Sequence, residues 1–197
     1  MSQVRVLPRD EVVDRLDDLA RLRIAVFREW PYLYDGDLDY EREYLKTYVA
    51  SRSSLVVVAD DAGRIVGAST AVPLADEGES LRAPYVAVGI DPASVYYFGE
   101  SVLLPDYRGR GIGHRFFDAR EAQARALGRF GLTSFCAVAR AEDDPRRPPA
   151  YRPLDAFWSA RGYRRRADIV TTIAWKEIGE TAATDKRLVA WLRPIGA

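Results

Sequence analysis

The chain has 197 residues, of which 48% are hydrophobic; 29 basic side chains balance 29 acidic ones, and there is one histidine, one cysteine and one methionine. A chain of this length buries about 70% of its unfolded surface, enough for a core without disulfide or metal staples; one soluble domain over residues 1–197 is expected. Lone Cys136 closes no internal disulfide, one Cys and one His build no Cys/His zinc cluster, and any imidazole mechanism would depend on His114. Zero net charge gives no electrostatic case for nucleic acid as a partner. The first eight residues are too polar for a secretory signal, and apolar runs such as 55–59 are far below membrane-spanning length. A cytoplasmic protein with no membrane partner is therefore expected.

Residues 3–7 alternate like a short strand. Residues 10–28 carry Val13, Leu16, Ala20, Ile24 and Phe27 at helical spacing, predicting one helix with that face inward. Trp30-Pro31 ends it, since the residue before proline leaves the helical region. A second helix is predicted over 39–48, with acidic residues in its first turn. Residues 55–59 and 64–72 are β-rich and joined by Asp60-Asp61-Ala62-Gly63, a hairpin signal. Residues 75–93 read as part helix, part loop, and 96–104 as a strand stopped by Pro105-Asp106. Residues 111–127 are the clearest helix, with Ile112, Phe116, Ala119, Ala122 and Ala126 on one face, a Glu121/Arg125 pair on another and Gly128 at its end. A strand at 132–139, a stiff proline-rich crossing at 145–151, a short helix opened by Pro153 and closed at Gly162, and strands at 169–175 and 188–192 complete the order. This is an α/β chain with a mixed sheet, parallel around the 111–127 helix with a right-handed crossover. The last two strands leave an edge on which a second copy could pair, so a homodimer is expected.

The segment from Glu100 to Gly113 carries the chemistry: a strand stops, a loop with Gly109, Gly111 and Gly113 follows, and a helix begins. Glycines let backbone approach a ligand, the first helical amides point outward, and the dipole adds partial positive charge to that of Arg108 and Arg110. These features suit a pyrophosphate. A Rossmann loop would need glycine where His114 stands and belongs in the first β-α unit; a Walker A loop needs the absent Gly-Lys-Ser/Thr. The remaining pattern, Arg-x-x-Gly-x-Gly at Arg108, Gly111 and Gly113, resembles the acyl-CoA-binding motif of the GNAT superfamily of N-acetyltransferases. The lead-in Val102-Leu103-Leu104-Pro105-Asp106-Tyr107 and the late segment Ala156-Phe157-Trp158-Ser159-Ala160-Arg161-Gly162-Tyr163 are also similar to that family, as is the order of elements, so the likeness covers nearly the whole chain.

The resemblance implies a central sheet splayed between the strand before the loop and the strand at 132–139, flanked by helices. Acetyl-CoA would be the acyl donor and no metal would be needed. Its pantetheine would bond to backbone around Val102, Leu103 and Leu104, and its pyrophosphate would lie on Gly109, Arg110, Gly111, Ile112, Gly113 and His114, with Arg108 adding charge. A primary amine would attack the thioester directly while a base takes its proton and an acid protonates the thiolate. The strand position where the family often has glutamate is Tyr97 here, and the carboxylate is Glu100; strand parity puts them on opposite faces unless a bulge intervenes. Glu100 is the expected base. Trp158 stands where a tyrosine acid is usual and would line the donor site; indole gives up no catalytic proton, leaving Tyr97, Tyr151 or water. The thiol leaves without much help at a reference pKa of about 8.5.

Residues 29–43 hold six carboxylates against Arg42, with Trp30, Tyr32, Tyr34 and Tyr40 among them. By the same resemblance this segment borders the acceptor, and Tyr32, Tyr34, Asp35 and Asp37 are expected to select a cationic small-molecule amine through cation-π contact and charge. A plainer reading makes Asp35-Gly36-Asp37 a turn and helix cap, Tyr40, Tyr44 and Tyr48 packing residues, and Cys136 inert core. It makes the arginines at 161 and 164–166 a solvated basic face. At the level of function the alternatives are a CoA-binding sensor or interaction module without catalysis, and an acyltransferase that uses another acyl-CoA or an alcohol acceptor.

Overall fold

In the computed structural model, which describes residues 2–196, the predicted hairpin is the centre of a long sheet. β2 (Leu55–Asp61) and β3 (Arg64–Pro73) pair antiparallel through a turn in which Ala62 and Gly63 both have positive φ. Their side chains are buried almost throughout, because helices cover both faces of the sheet. β1 (Gln3–Val6) lies antiparallel outside β2. On the other side follow β4 (Val95–Tyr97), β6 (Leu132–Val138), β8 (Thr184–Pro194) and β7 (Arg164–Trp175), while β5 (Ser101–Leu103) pairs with β3 alone. Only β4 and β6 are parallel. α5 (Ile112–Leu127) lies in the connection between them.

One face of the sheet carries α1 (Arg9–Asp14), α2 (Leu16–Phe27), α3 (Leu38–Ala50) and, further along, α4 (Glu79–Ala87). Val12, Leu19, Phe27, Leu45 and Tyr48 pack there on Val56, Val58, Val72 and Val102; Tyr85 packs on Tyr97, Cys136 and Ile169. The other face holds α5 and α6 (Asp155–Ala160), where Phe116 and Phe117 meet Val57, Phe98, Phe135, Tyr163 and Trp191. Val56 and Val58 facing one layer and Val57 the other is the period-2 alternation of a strand.

Three expectations need correction. The helix predicted over 10–28 breaks at Arg15 (φ −109°, ψ 11°), so the inward face shifts to Val12, Leu19, Ala20 and Arg23, and Val13 is exposed. On α5 Ala122 and Ala126 are exposed, whereas Phe117, Arg120, Glu121 and Ala124 are buried. Glu121 reaches Arg161 (3.1 Å) and Arg193 (2.8 Å) instead of Arg125. Hydrophobic periodicity counts a charged residue as outward, and counter-charges from distant segments reversed that here. The strand predicted over 96–104 is interrupted, and the interruption shapes the site.

Candidate active site

Gly109 and Gly111 stand at φ +74° and +75°, where a side chain would be strained, and an added Cβ at either meets nothing within 4 Å. Gly111 is the N-cap of α5 and no side chain caps the helix, so its first-turn amides are free to receive an anion. This open cradle at a dipole's positive end fits the diphosphate of a CoA ester. Arg110 lies over the Tyr107 ring at 5.2 Å. Arg108 is turned back: Nη1 contacts Glu29 at 2.8 Å and Nε donates to the Leu103 carbonyl at 3.1 Å. His114 meets Arg161 and packs edge-on against Phe157.

Val72 is opposite Tyr97, and Ser69 is opposite Ser101. Between these pairs, Phe98, Gly99 and Glu100 face only Thr70 and Ala71, so the strand carries one extra residue, a β-bulge. Register partners share a face: Tyr97 lies with Val72, and Val102 with Ala68, both on the α1–α4 side. Without the extra residue, positions 97 and 102 would point oppositely. The bulge therefore brings Glu100 to the same side as Tyr97. It is held by Thr70, whose N–H donates to the Glu100 carbonyl and whose carbonyl accepts from Gly99 N–H. Gly99 is needed because a Cβ there would stand 2.0 Å from the Tyr48 hydroxyl.

The same irregularity opens the sheet. The last bond across the parallel pair runs from Phe98 N–H to the Ser134 carbonyl at 2.7 Å. Beyond it β5 stays with β3 and β6 stays with β8, so the strands diverge. Because Leu104 N–H bonds β3, alternation turns the Ser101 and Leu103 amides toward the gap. Of the expected Val102, Leu103 and Leu104, only Leu103 therefore turns its amide to the gap, and Ser101, outside the sequence expectation, does the same. Trp158 packs on Phe135 (5.0 Å) and Trp191 (5.1 Å) on the α6 side of the gap.

Two arginines that sequence periodicity did not single out fix the bulge from opposite faces. Arg120, 1% exposed, donates from Nη1 to the Glu100 carbonyl at 3.3 Å and stacks on Phe98 and Phe117; burial lowers its pKa to about 10. Arg23 projects from α2 between two buried carboxylates, donating from Nε to Glu41 and lying 2.5 Å from Glu100 through Nη1. The Nη1 contact is charge against charge rather than an aligned hydrogen bond. Burial opposes the charge of Arg23, but Glu100, Tyr44 and Glu41 raise its pKa well above that of free arginine. Tyr44 also donates to Glu100 at 3.3 Å. Tyr97 is buried beside Tyr85 and Cys136, which keeps its hydroxyl protonated well past the usual range. Burial raises the Cys136 thiol to about 11, leaving it as inert core.

On the acceptor side, the structure separates the four expected residues. Tyr32 is tilted between Phe27 and Trp175; burial, followed by the fields of Arg23 and Glu100, sets its pKa at about 12. Its backbone is pinned by Arg140 and Trp175, both donating to the Tyr32 carbonyl, and Arg140 is in turn bound to buried Glu177 with Arg146 and Lys186. Tyr34 is buried and bridges to Glu177, with its ionisation further suppressed by burial and Glu41. Asp35 pairs with Lys176 at 2.8 Å. Asp37 caps α3 by accepting from Tyr40 N–H. Only Tyr32 stands in the field of Glu100; both aspartates are engaged by the fold. Arg161 is held by Asp118 and Glu121, and Arg166 by Asp168, while Arg164 and Arg165 are exposed, so half of the expected basic face is ion-paired and half is solvated.

Among the described residues no group of three His, Cys, Asp or Glu side chains is placed to hold a metal, and no helix is long and apolar enough to cross a membrane. Solved structures share the fold at low identity. A ribosomal-protein-alanine N-acetyltransferase from Brucella melitensis matches with a TM-score of 0.62 at 14% identity, covering 98% of this chain and 99% of that one. An aminoglycoside 6′-N-acetyltransferase complexed with coenzyme A matches at 0.59 and 16%, covering 99% and 98%. The Salmonella typhimurium protein yncA, solved with acetyl-CoA, matches at 0.60 and 11%, covering 100% and 95%. A comparison with curated proteins gave no match. The Acetyltransferase (GNAT) family profile matches residues 19–148, about two thirds of the chain and including the glycine loop and the bulged strand; the chain belongs to this family of acetyltransferases.

Proposed function

We propose that the protein transfers an acetyl group from acetyl-CoA to the primary amine of a cationic small molecule by direct attack. The observation that carries this reading is a single bulge that both parts the strands and turns Glu100 to the opposite layer. The uncapped glycine loop and diverging strands lie on the donor path, and the carboxylate of Glu100 projects into the α2–α3 side. Acetyl-CoA supplies the thioester carbonyl and the thiol leaving group. The amides of residues 109–114 and the guanidinium of Arg110 would bind its diphosphate, with Arg108 joining on release from Glu29. The Ser101 and Leu103 backbone would align the pantetheine. Glu100, held by Arg23 and Tyr44, orients the ammonium, and Tyr32 offers it an aromatic face. Trp158 leaves the donor side without a side-chain acid, which the acidity of a thiol tolerates.

The test is thiol release from acetyl-CoA with a panel of cationic, neutral and anionic primary amines. Amine-dependent release favouring cations is expected. Tight CoA binding without amine-dependent release would replace the reading with that of a CoA-binding module, and equal use of anionic amines would remove the charge selection.

A further inference from the structure

Five glutamates are buried among the described residues, and four of them have an arginine. Glu41 and Glu100 share Arg23, Glu121 has Arg161 and Arg193, and Glu177 has Arg140 and Arg146. Glu77 is the exception. It is 8% exposed, no cation pairs with it among the described residues, and its Oε1 is buried without a hydrogen-bond partner; the Gly78 amide alone touches the carboxylate. A buried carboxylate oxygen with no partner costs free energy, so its retention calls for a donor that arrives from outside.

The position of Glu77 indicates the donor. It follows the 3-10 turn Leu74–Asp76 at the end of β3, next to the strand opposite Tyr97 and Tyr96. The groups that share its field come from several elements: Asp76 on its own turn, Arg23 on α2, Tyr44 and Tyr48 on α3, Tyr97 and Glu100 around the bulge, and Cys136 on β6; α4 packs on the same turn, with Arg82 donating to the Ala75 carbonyl at 3.5 Å. Ser51 on the α3 terminus occupies Asp76, donating to it at 2.6 Å. Arg23 contacts Glu41 and Glu100, and Glu77 adds a third buried carboxylate within its field without pairing to it.

Resting on the acetyl-transfer reading above, we propose that Glu77 is a catalytic residue, the group that takes the proton from the acceptor's ammonium while Glu100 orients it. The ammonium gives one proton to Glu77 Oε1. The freed lone pair forms the new N–C bond as the C–S bond breaks, the second nitrogen proton leaves with the sulfur as the thiol, and Glu77 returns its proton to water. Arg23 contacts Glu100 and holds it in the orienting position. Burial, then the charge of Glu100, raises the Glu77 pKa to about 7, where a base works best at neutral pH.

The experiment compares wild type with Glu77→Gln and Glu100→Gln. It follows thiol release with propylamine, 1,5-diaminopentane and an alanyl peptide across pH, and melting temperature without ligand at pH 5 and pH 8. Wild-type kcat/KM should rise with pH through a midpoint near 7. Glu77→Gln should lose at least about 100-fold at pH 7 together with that limb, and Glu100→Gln should keep the limb at a lower midpoint. Because the native state disfavours ionised Glu77, wild-type stability falls as pH rises from about 4.5 through 7. Glu77→Gln should therefore melt higher than wild type at pH 8 by several degrees more than at pH 5, which reports the raised pKa; loss of the pH limb of kcat/KM is the readout that a merely structural glutamate would not move. An active wild type whose pH limb survives in Glu77→Gln, or a variant that loses stability equally at both pH values, overturns the inference alone. A wild type with no amine-dependent thiol release overturns the acetyl-transfer reading and the inference with it.

Discussion

Replacing Arg23 with methionine keeps most of its volume and removes the one charge between Glu41 and Glu100. Both carboxylates are buried, so one of them must take up a proton for the variant to fold. Holding a proton on a glutamate at pH 7, against a reference pKa of about 4.3, costs about 3–4 kcal/mol at 1.36 kcal/mol per unit. That agrees with the roughly 3–5 kcal/mol measured when one partner of a buried pair is deleted. The stacking of Arg23 over Tyr44 (4.3 Å) and Phe27 (5.0 Å) adds about 1 kcal/mol that does not depend on pH. In the variant the folded state holds a proton that the unfolded chain releases above about pH 4.3, so its deficit grows as pH rises and shrinks as pH falls. Urea unfolding at pH 7 should show a loss of about 5 kcal/mol, and at pH 5 about 2 kcal/mol. In a chain of this size the pH 7 loss corresponds to a melting shift of about 10–20 °C. Arg23→Met with Glu41→Gln should recover part of the loss at pH 7 and little at pH 5. An equal deficit at both pH values, or one under about 1 kcal/mol at pH 7, would refute the account of Arg23 as the counter-charge of the site.

Gly99→Ala places a Cβ 2.0 Å from the Tyr48 hydroxyl and 2.7 Å from Thr70 Oγ1, so the bulge or α3 must move. A stability loss of about 1–3 kcal/mol with reduced kcat is expected, and adding Tyr48→Phe should restore part of both; no recovery would mean that the hydroxyl does not set the close approach. Gly111→Ala and Gly63→Ala both force a side chain into positive φ with open space around it, and each should lose about 1–2 kcal/mol in denaturant unfolding. Calorimetry should show weaker CoA binding for Gly111→Ala alone; equal effects at the two sites would detach the loop from the donor.

The sequence alone determined the elements whose signals are local. The β2–β3 hairpin was written in its turn residues, α5 in its length and terminal Gly128, and the donor loop in glycines whose backbone requirement survives any tertiary context. The family resemblance rested on that loop, its lead-in at 102–107, the late segment at 156–163 and the order of elements. Asp37 as a cap was legible too, because N-capping is a contact within one turn.

Tertiary structure decided what depends on distant partners. Periodicity put Glu121 off the apolar face and singled out neither Arg23 nor Arg120, yet each is buried because counter-charges, carbonyls or aromatic rings from other segments receive it. Glu77 carried no signal in a stretch read as part helix, part loop, since its lack of a cation is a property of its neighbours. The side on which Glu100 acts depended on one extra residue opposite Thr70 and Ala71, and a one-residue shift reverses every side chain beyond it. Strand parity can be read from sequence, but a bulge exists only in the register between two strands.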